Sequence, residues 1–348
     1  MKKFFLSLLL AVICQITMAQ ILQDNEAAVV YYMPKTTFEI TFDYDVTEQT
    51  PGVFYQYAER YLGTKDIVLE ATTSHVLTNV AVSVSTTADT QRAYKITAQK
   101  GVQNHLLALS ADGVLLGYNT DIAPASPIAS ELKPDEYPQD ERHNRLMPLL
   151  EEQFMAGSVA KMAEGAAKQI YRIRETRINL LAGDMEHVPA DGMAMQMVLD
   201  ELNKQEQALV ELFIGKRTTR RCRHTINYTP TQSVSREVLC RLSLHTGIVD
   251  NKDLSGEPIY ITLAADKQSV QTSSTELTKA PLLSQLYYNL PGSANITIQY
   301  KGKTWVQGTW QVAQFGVAVP MAQDWFTSRS TPSIVLNPET GNILLIKN

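Results

Sequence analysis

Phe38-Glu39-Ile40-Thr41-Phe42-Asp43-Tyr44-Asp45 is the stretch on which the fold class turns. Apolar and polar residues alternate with period two. That spacing puts Phe38, Ile40, Phe42 and Tyr44 on one face of a half-buried strand. The strand-like pattern extends over 29–46 and stops at Pro51-Gly52. A short helix is expected over 54–62, before Gly63. Further strands are expected over 67–71, 76–85 and 92–98. In the second of these, Val80, Val82 and Val84 alternate with Ala81, Ser83 and Ser85, and β-branched residues suit a pleated surface. Ala111-Asp112-Gly113 is a turn signal leading into a short run over 114–118.

The period changes at 149–181. Leu150, Phe154, Met162, Ala166, Ile170 and Ile173 follow a 3.6-residue stripe, with Glu151, Glu152, Lys161, Glu164 and Lys168 off it. Gly157 and Gly165 weaken this helix or permit close packing, and Gly183 terminates it. Asp191 is placed to cap a second helix, along which Val198, Leu202, Leu209 and Leu212 recur before Gly215. The short connection predicts an antiparallel hairpin. After Gly215 the period returns to two, with strands expected over 223–228, 237–244, 258–263, 295–300, 305–310 and 311–319. Lys301-Gly302 is a hairpin turn. A closing hairpin, 333–336 with 342–346, turns at Pro338-Glu339-Thr340-Gly341.

The pattern therefore predicts an α+β protein in which two β-rich domains are joined or braced by a central antiparallel helical hairpin. The expected boundaries are an N-terminal β-rich domain at 28–120, a proline-rich linker at 121–148, the helical hairpin at 149–215 and a C-terminal β-rich domain at 216–348. One continuous β assembly with a helical insertion is the alternative arrangement.

Composition narrows the function classes. With 348 residues the chain can bury a sizeable core, and 44 % apolar against 19 % charged residues argues against wholesale disorder. A net charge of −5 disfavours a general nucleic-acid binder. Lys2 and Lys3 precede an apolar run over 4–13, and the small or polar residues after it end in Ala19-Gln20, the layout of an export signal at 1–19. That run is too short for an ordinary membrane span, and no later segment is apolar for long enough. Export implies a periplasmic or extracellular location.

Cleavage after Ala19 leaves Cys222 and Cys240, and an oxidising compartment permits a disulfide between them. If 221–228 paired with 236–243 about a turn at Thr231, the two cysteines would lie directly opposite each other. Two separate thiols are the alternative. Zinc held by Cys222, His224, Cys240 and His245 is disfavoured by strand parity, so no metal site is expected. No cofactor signature is present.

Two candidate surfaces remain. Arg172, Arg174 and Arg177, together with Lys216, Arg217, Arg220, Arg221 and Arg223, are candidate anion contacts; intramolecular ion pairing is the plainer reading. Tyr300, Trp305 and Trp310 are a candidate surface for carbohydrate or peptide; core packing is the plainer reading. Asp184, Glu186 and His187, and Glu70 with His75, are acid–base residue types without a nucleophile signature. No catalytic residue is assigned.

The run from Ile173-Arg174-Glu175 through Leu180-Leu181-Ala182-Gly183-Asp184, then Pro189-Ala190-Asp191-Gly192, Leu199-Asp200-Glu201-Leu202, Glu206, Ala208-Leu209, Leu212-Phe213 and Gly215-Lys216, resembles a family of secreted Bacteroides-type proteins with a domain of unknown function. Leu254-Ser255-Gly256-Glu257-Pro258 fits the same family. The resemblance implies an envelope or extracellular protein and carries no active-site residue. The expected function is noncatalytic binding or envelope organisation, with an envelope protein, peptide or glycan as partner. The competing expectations are a periplasmic hydrolase and a secreted structural protein. A deep polar cleft with a nucleophile–base pair or a metal would favour the hydrolase; an exposed apolar patch or sheet edge would favour protein association.

Overall fold

The alternating stretch lies in strand β1, Ala28–Thr50, a spine of 23 residues. Phe38, Ile40 and Phe42 are fully buried on its inner face. In this computed structural model the described residues are 28–97, 107–120, 148–184, 191–266, 286–321 and 332–347. β1 pairs antiparallel on one side with β2, Thr72–Thr97, and on the other with β5, Lys216–Tyr228, giving a three-stranded sheet ordered β2-β1-β5. A five-stranded sheet contains β6 (Val234–Ser243), β7 (Gly247–Val249), β8 (Glu257–Ala265), β9 (Tyr287–Tyr300) and β10 (Lys303–Pro320), in the order β10-β9-β8-β6-β7. A third sheet joins β3 (Leu107–Leu109), β4 (Leu115–Tyr118), β11 (Ser333–Leu336) and β12 (Ile343–Lys347), in the order β12-β11-β4-β3.

The first two sheets bury their apolar faces against each other. Phe38, Ile40, Phe42, Leu77 and Val80 meet Cys240, Leu242, Ile259, Ile261, Leu263, Ile296 and Ile298 in one core cluster. This is what alternation produces when two half-apolar sheets remove one face each from water. The N-terminal end of β1 enters a second core, where Tyr31 and Met33 pack with Leu115, Tyr118, Tyr287, Ile334 and Leu336. The change of core coincides with register shifts at Tyr32/Met33 in β1 and between Val312 and Val317 in β10. Bulges re-aim side chains, which lets one long strand face two different neighbours.

Beyond the C-terminal end of β1, a 3-10 turn (Tyr55–Tyr57) and α1 (Ala58–Leu62) pack against the helical layer. That layer contains α2 (Glu151–Phe154), α3 (Val159–Ala182) and α4 (Gly192–Ile214). Phe54 and Phe213 lie 5.4 Å apart between ring centroids, beside Ala163, Ala166, Ala167, Ile170 and Leu209. Arg174 of α3 reaches Glu206 of α4 and Arg177 reaches Asn203, so the pair runs antiparallel. Asp191 caps α4 by accepting from the Ala194 amide at 2.7 Å, and Gly183 ends α3 in the left-handed region. Gly215 has φ +83° at the passage from α4 to β5, and a side chain there would collide with the Thr50 carbonyl and Val68.

The expected α+β architecture holds: β-rich regions with a helical pair between them in the chain. Four differences have physical causes. The 149–181 helix is split at Gly157, whose φ of +69° lies outside the helical region. Leu150 and Phe154 are consequently exposed rather than part of the buried stripe. Residues 67–71 form no strand; the Val68 amide instead bonds the carbonyl of Ile214. β5 leaves the region after the helices and joins β1, while β11 pairs with β4, so strands from before and after the helical pair share two sheets. Finally, β5 and β6 do not pair with each other: β5 lies beside β1 and β6 beside β7 and β8. The expected hairpin register is absent, and Cys222 and Cys240 are free thiols on different sheets. Residues 121–147, the core of the expected linker, and 1–19, the expected leader, lie outside the described residues.

Candidate functional site: the faces and edges of the three-stranded sheet

The outer face of β1 and β5 is a ladder of directly opposed polar pairs. Thr37 with Thr229, Thr41 with Thr225 and Thr47 with Thr219 bond through their hydroxyls. Among these pairs, Arg223 donates to Asp43 at 2.7 Å and Arg221 to Asp45 at 3.3 Å. Arg220 reaches Glu48 and Arg217 reaches Asp66. The hydrogen bond from Arg223 holds the Asp43 carboxyl below its ordinary range, against the opposing push of burial. The basic run on β5 thus meets carboxylates on β1, because antiparallel register sets the two chains of charge opposite each other. Lys216 is half-buried at the start of the strand.

The other arginine group divides. Arg174 and Arg177 clamp the two carboxylate oxygens of Glu206, each at 2.6 Å. Burial pushes that carboxyl up, but the two arginine bonds outweigh it and keep it below the ordinary glutamate range. Arg172 is exposed on α3.

The three aromatics sit against the sandwich core. Tyr300 is buried in it, while Trp305 and Trp310 pack on its margin. Trp310 meets Phe38 edge-on, with centroids 6.3 Å apart, and lies over Gly308, where a side chain would strike the indole. Lys303 covers the Trp305 ring at 4.3 Å. Trp305 falls at a register shift between Thr304 and Val306. Five residues apart, the two tryptophans would take opposite faces of a regular strand, and the bulge at Trp305 interrupts that alternation.

The remaining chemical candidates are dispersed. Cys240 lies in the sandwich core, where burial pushes its thiol up to about 12. A thiol held that far above neutral pH is a poor nucleophile. Cys222 stands opposite Tyr44, and His224 is exposed on the same strand. His75 places Nδ1 2.9 Å from the Leu244 carbonyl and its ring beside Tyr44, tying β2 to the turn after β6. Among the described residues no three His, Cys, Asp or Glu side chains gather as a metal-binding group. Glu186 and His187 lie outside the described residues.

The two edges of the sheet differ sharply. β5 carries Lys216, Arg217, Arg220, Arg221 and Arg223 along its 13 residues. β2, the opposite edge, contains no Asp, Glu, Lys, Arg or Pro between Thr72 and Ala88. Its outward residues Asn79, Ala81, Ser83 and Thr87 are exposed, and its inward Val82 and Val84 are only half-buried. Charged side chains and prolines are the usual guards of a sheet edge, and β2 has neither over this span.

A family profile described as a domain of unknown function, DUF4831, matches residues 27–344. The chain belongs to the DUF4831 family. The match runs through all three sheets and the helical pair, as the resemblance of the central run implied. No curated protein and no solved structure matches the chain. Among the described residues of this DUF4831 protein, no helix is long and apolar enough to cross a membrane.

One polar group in the DUF4831 chain was not visible in its sequence. Arg92 donates to Asp89 at 2.8 Å, to the Pro34 carbonyl at 2.9 Å and to Asn289 at 3.2 Å. Asn289 in turn bonds the carbonyls of Ala313 and Thr340. Thr36 accepts from the Ala313 amide, and Gln314 bridges both backbone groups of Thr36 and the Pro230 carbonyl. These contacts satisfy backbone groups where β1 and β10 change core, which gives the cluster a structural role. The one sequence signal is the polar interruption Asp89-Thr90-Gln91-Arg92 between two stretches of strand.

Proposed function

We propose that this DUF4831 protein is a noncatalytic binding protein of the bacterial envelope that associates with protein through the β2 edge of its three-stranded sheet. The observation that carries the reading is the charge-free span of the outer strand β2 between Thr72 and Ala88, with Asn79, Ala81, Ser83 and Thr87 exposed, set against the arginine-lined edge at β5. An edge strand presents unpaired amides and carbonyls, and an extended segment that adds to it gains a ladder of main-chain hydrogen bonds. The leader-like residues 1–19 support export, and export would bring this edge to an envelope partner. The fate of the charged groups also supports binding over catalysis: Asp43, Glu206 and Asp89 are each engaged by arginine.

The test is photo-crosslinking in intact cells, with a photoreactive residue at Ser83 on β2 and, for comparison, at Arg221 on β5. Discrete protein adducts at Ser83, exceeding those at Arg221, are expected. Adducts at neither position, or at Arg221 alone, would overturn the reading.

A further inference from the structure

We infer that the partner on the β2 edge is a second copy of this chain, joined by antiparallel β2–β2 pairing about a two-fold axis. This rests on the reading of the β2 edge above and names its partner. Between Asn79 and Asp89, β2 keeps unbroken register with β1. Its far side is therefore a regular strand edge rather than a bulged one. An antiparallel edge is its own complement under two-fold rotation, because each amide and carbonyl meets its counterpart from the other copy. No strand occupies that side among the described residues.

Charge favours a second copy at β2 and opposes one at β5. Across a β2–β2 seam centred in 79–88, no acidic or basic side chain of one copy would face its like in the other. A β5–β5 seam would bring together two strands that each carry five basic residues, and like charges opposed across a ladder are destabilising. The side chains agree. Val82 and Val84 point inward and pack on the sandwich core while remaining partly exposed. A two-fold axis near Val82 sets the valines of one copy beside those of the other on the same face, covering the part left exposed. On the outer face Asn79, Ala81 and Ser83 are small or uncharged and do not obstruct an approaching strand. The product is a six-stranded sheet formed from the three strands of each copy.

Sedimentation of the purified full chain across a concentration series reads the assembly directly. A mass twice that of one chain is expected at high concentration, falling toward one chain on dilution. The double variant Ala81→Lys/Ser83→Lys, altered only at exposed positions, should stay monomeric at every concentration and keep the native circular dichroism. Thr219→Lys on β5 should leave the dimer unchanged. A cysteine scan through Asn79→Cys, Ala81→Cys, Ser83→Cys and Ser85→Cys should give a disulfide between copies, strongest nearest the axis, and remains informative if the lysine variant fails to fold. A dimer that survives both lysines, or crosslinks at none of the four positions, would overturn the inference. A chain monomeric throughout, with Ser83 photo-adducts to a different protein, would overturn the second copy while leaving the β2 edge as a binding site. Monomer without adducts would remove both.

Discussion

Arg92 and Arg223 hold aspartates at nearly the same distance, 2.8 and 2.7 Å, in settings that give the two bonds different weight. The Arg92 side chain is 20 % exposed and sits where three sheets meet; that of Arg223 is 46 % exposed on an open face. Arg92 also reaches the Pro34 carbonyl and the carbonyl of Ala313, which lies where β9 and β10 lose register, and Arg223 extends from a strand whose main chain is already paired to β1. An arginine over a completed ladder adds a modest, salt-screened attraction. An arginine at a gap in the ladder is part of what makes the gap tolerable, since unmet buried polar groups are costly.

The contrast can be broken at its strong end first. Arg92→Ala takes the guanidinium away from the Pro34 carbonyl and from the Asp89 carboxylate, which keeps only the Gln91 amide as donor. A loss of about 3 kcal/mol is expected, at the lower end for a broken buried pair because the arginine is partly open to solvent. Urea denaturation measures it, and a loss as small as that of a surface pair would erase the distinction. Glu206 is intermediate. Glu206→Gln keeps the shape of the clamp and removes its charge, with an expected cost of about 1–2 kcal/mol at pH 7.

The same group sharpens the comparison through pH. Its folded pKa lies below the unfolded value of 4.5. Between those two values the unfolded chain binds more protons, so stability rises with pH there. The contribution is complete above 4.5 and is lost as acid titrates the folded carboxylate. Stability profiles of the parent and Glu206→Gln proteins should therefore converge on acidification; a constant gap would refute the charge-based account. At the weak end, Arg221→Ala on β5 should cost less than about 1 kcal/mol. High salt should narrow that difference while leaving the Arg92→Ala loss largely intact.

How much of this was legible can be judged from particular residues. Phe38, Ile40 and Phe42 revealed their face through local alternation, and Asp191 and Gly183 marked helix ends through local backbone chemistry. The turn at Lys301-Gly302 was equally local: both residues take positive φ, as a tight two-residue hairpin requires. The pairing of β5 was not local. The 223–228 and 237–244 stretches look like the two arms of a hairpin, yet β5 takes β1 as partner across the helical layer, where its arginines meet Asp43, Asp45 and Glu48. Alternation specifies a face and leaves the neighbour open. That is why the cysteine pairing failed while the strands themselves were found.

The candidate binding edge divides in the same way. That no charge occurs between Thr72 and Ala88 was written in the chain from the start. That these residues form an outer strand, opposite one lined with arginine, depended on assembly. Period, cap and turn act over a few residues, so sequence alone determined the type of most elements, which side of each is apolar, and the charge each carries, but not every boundary: the helix expected from 149 is broken at Gly157 and 67–71 forms no strand. Strand partners, edges and the meeting of Arg92 with Asn289 join residues far apart in the chain. Only tertiary structure decided them, because the hydrogen bonds and buried surface that select one pairing over another exist only once distant segments meet.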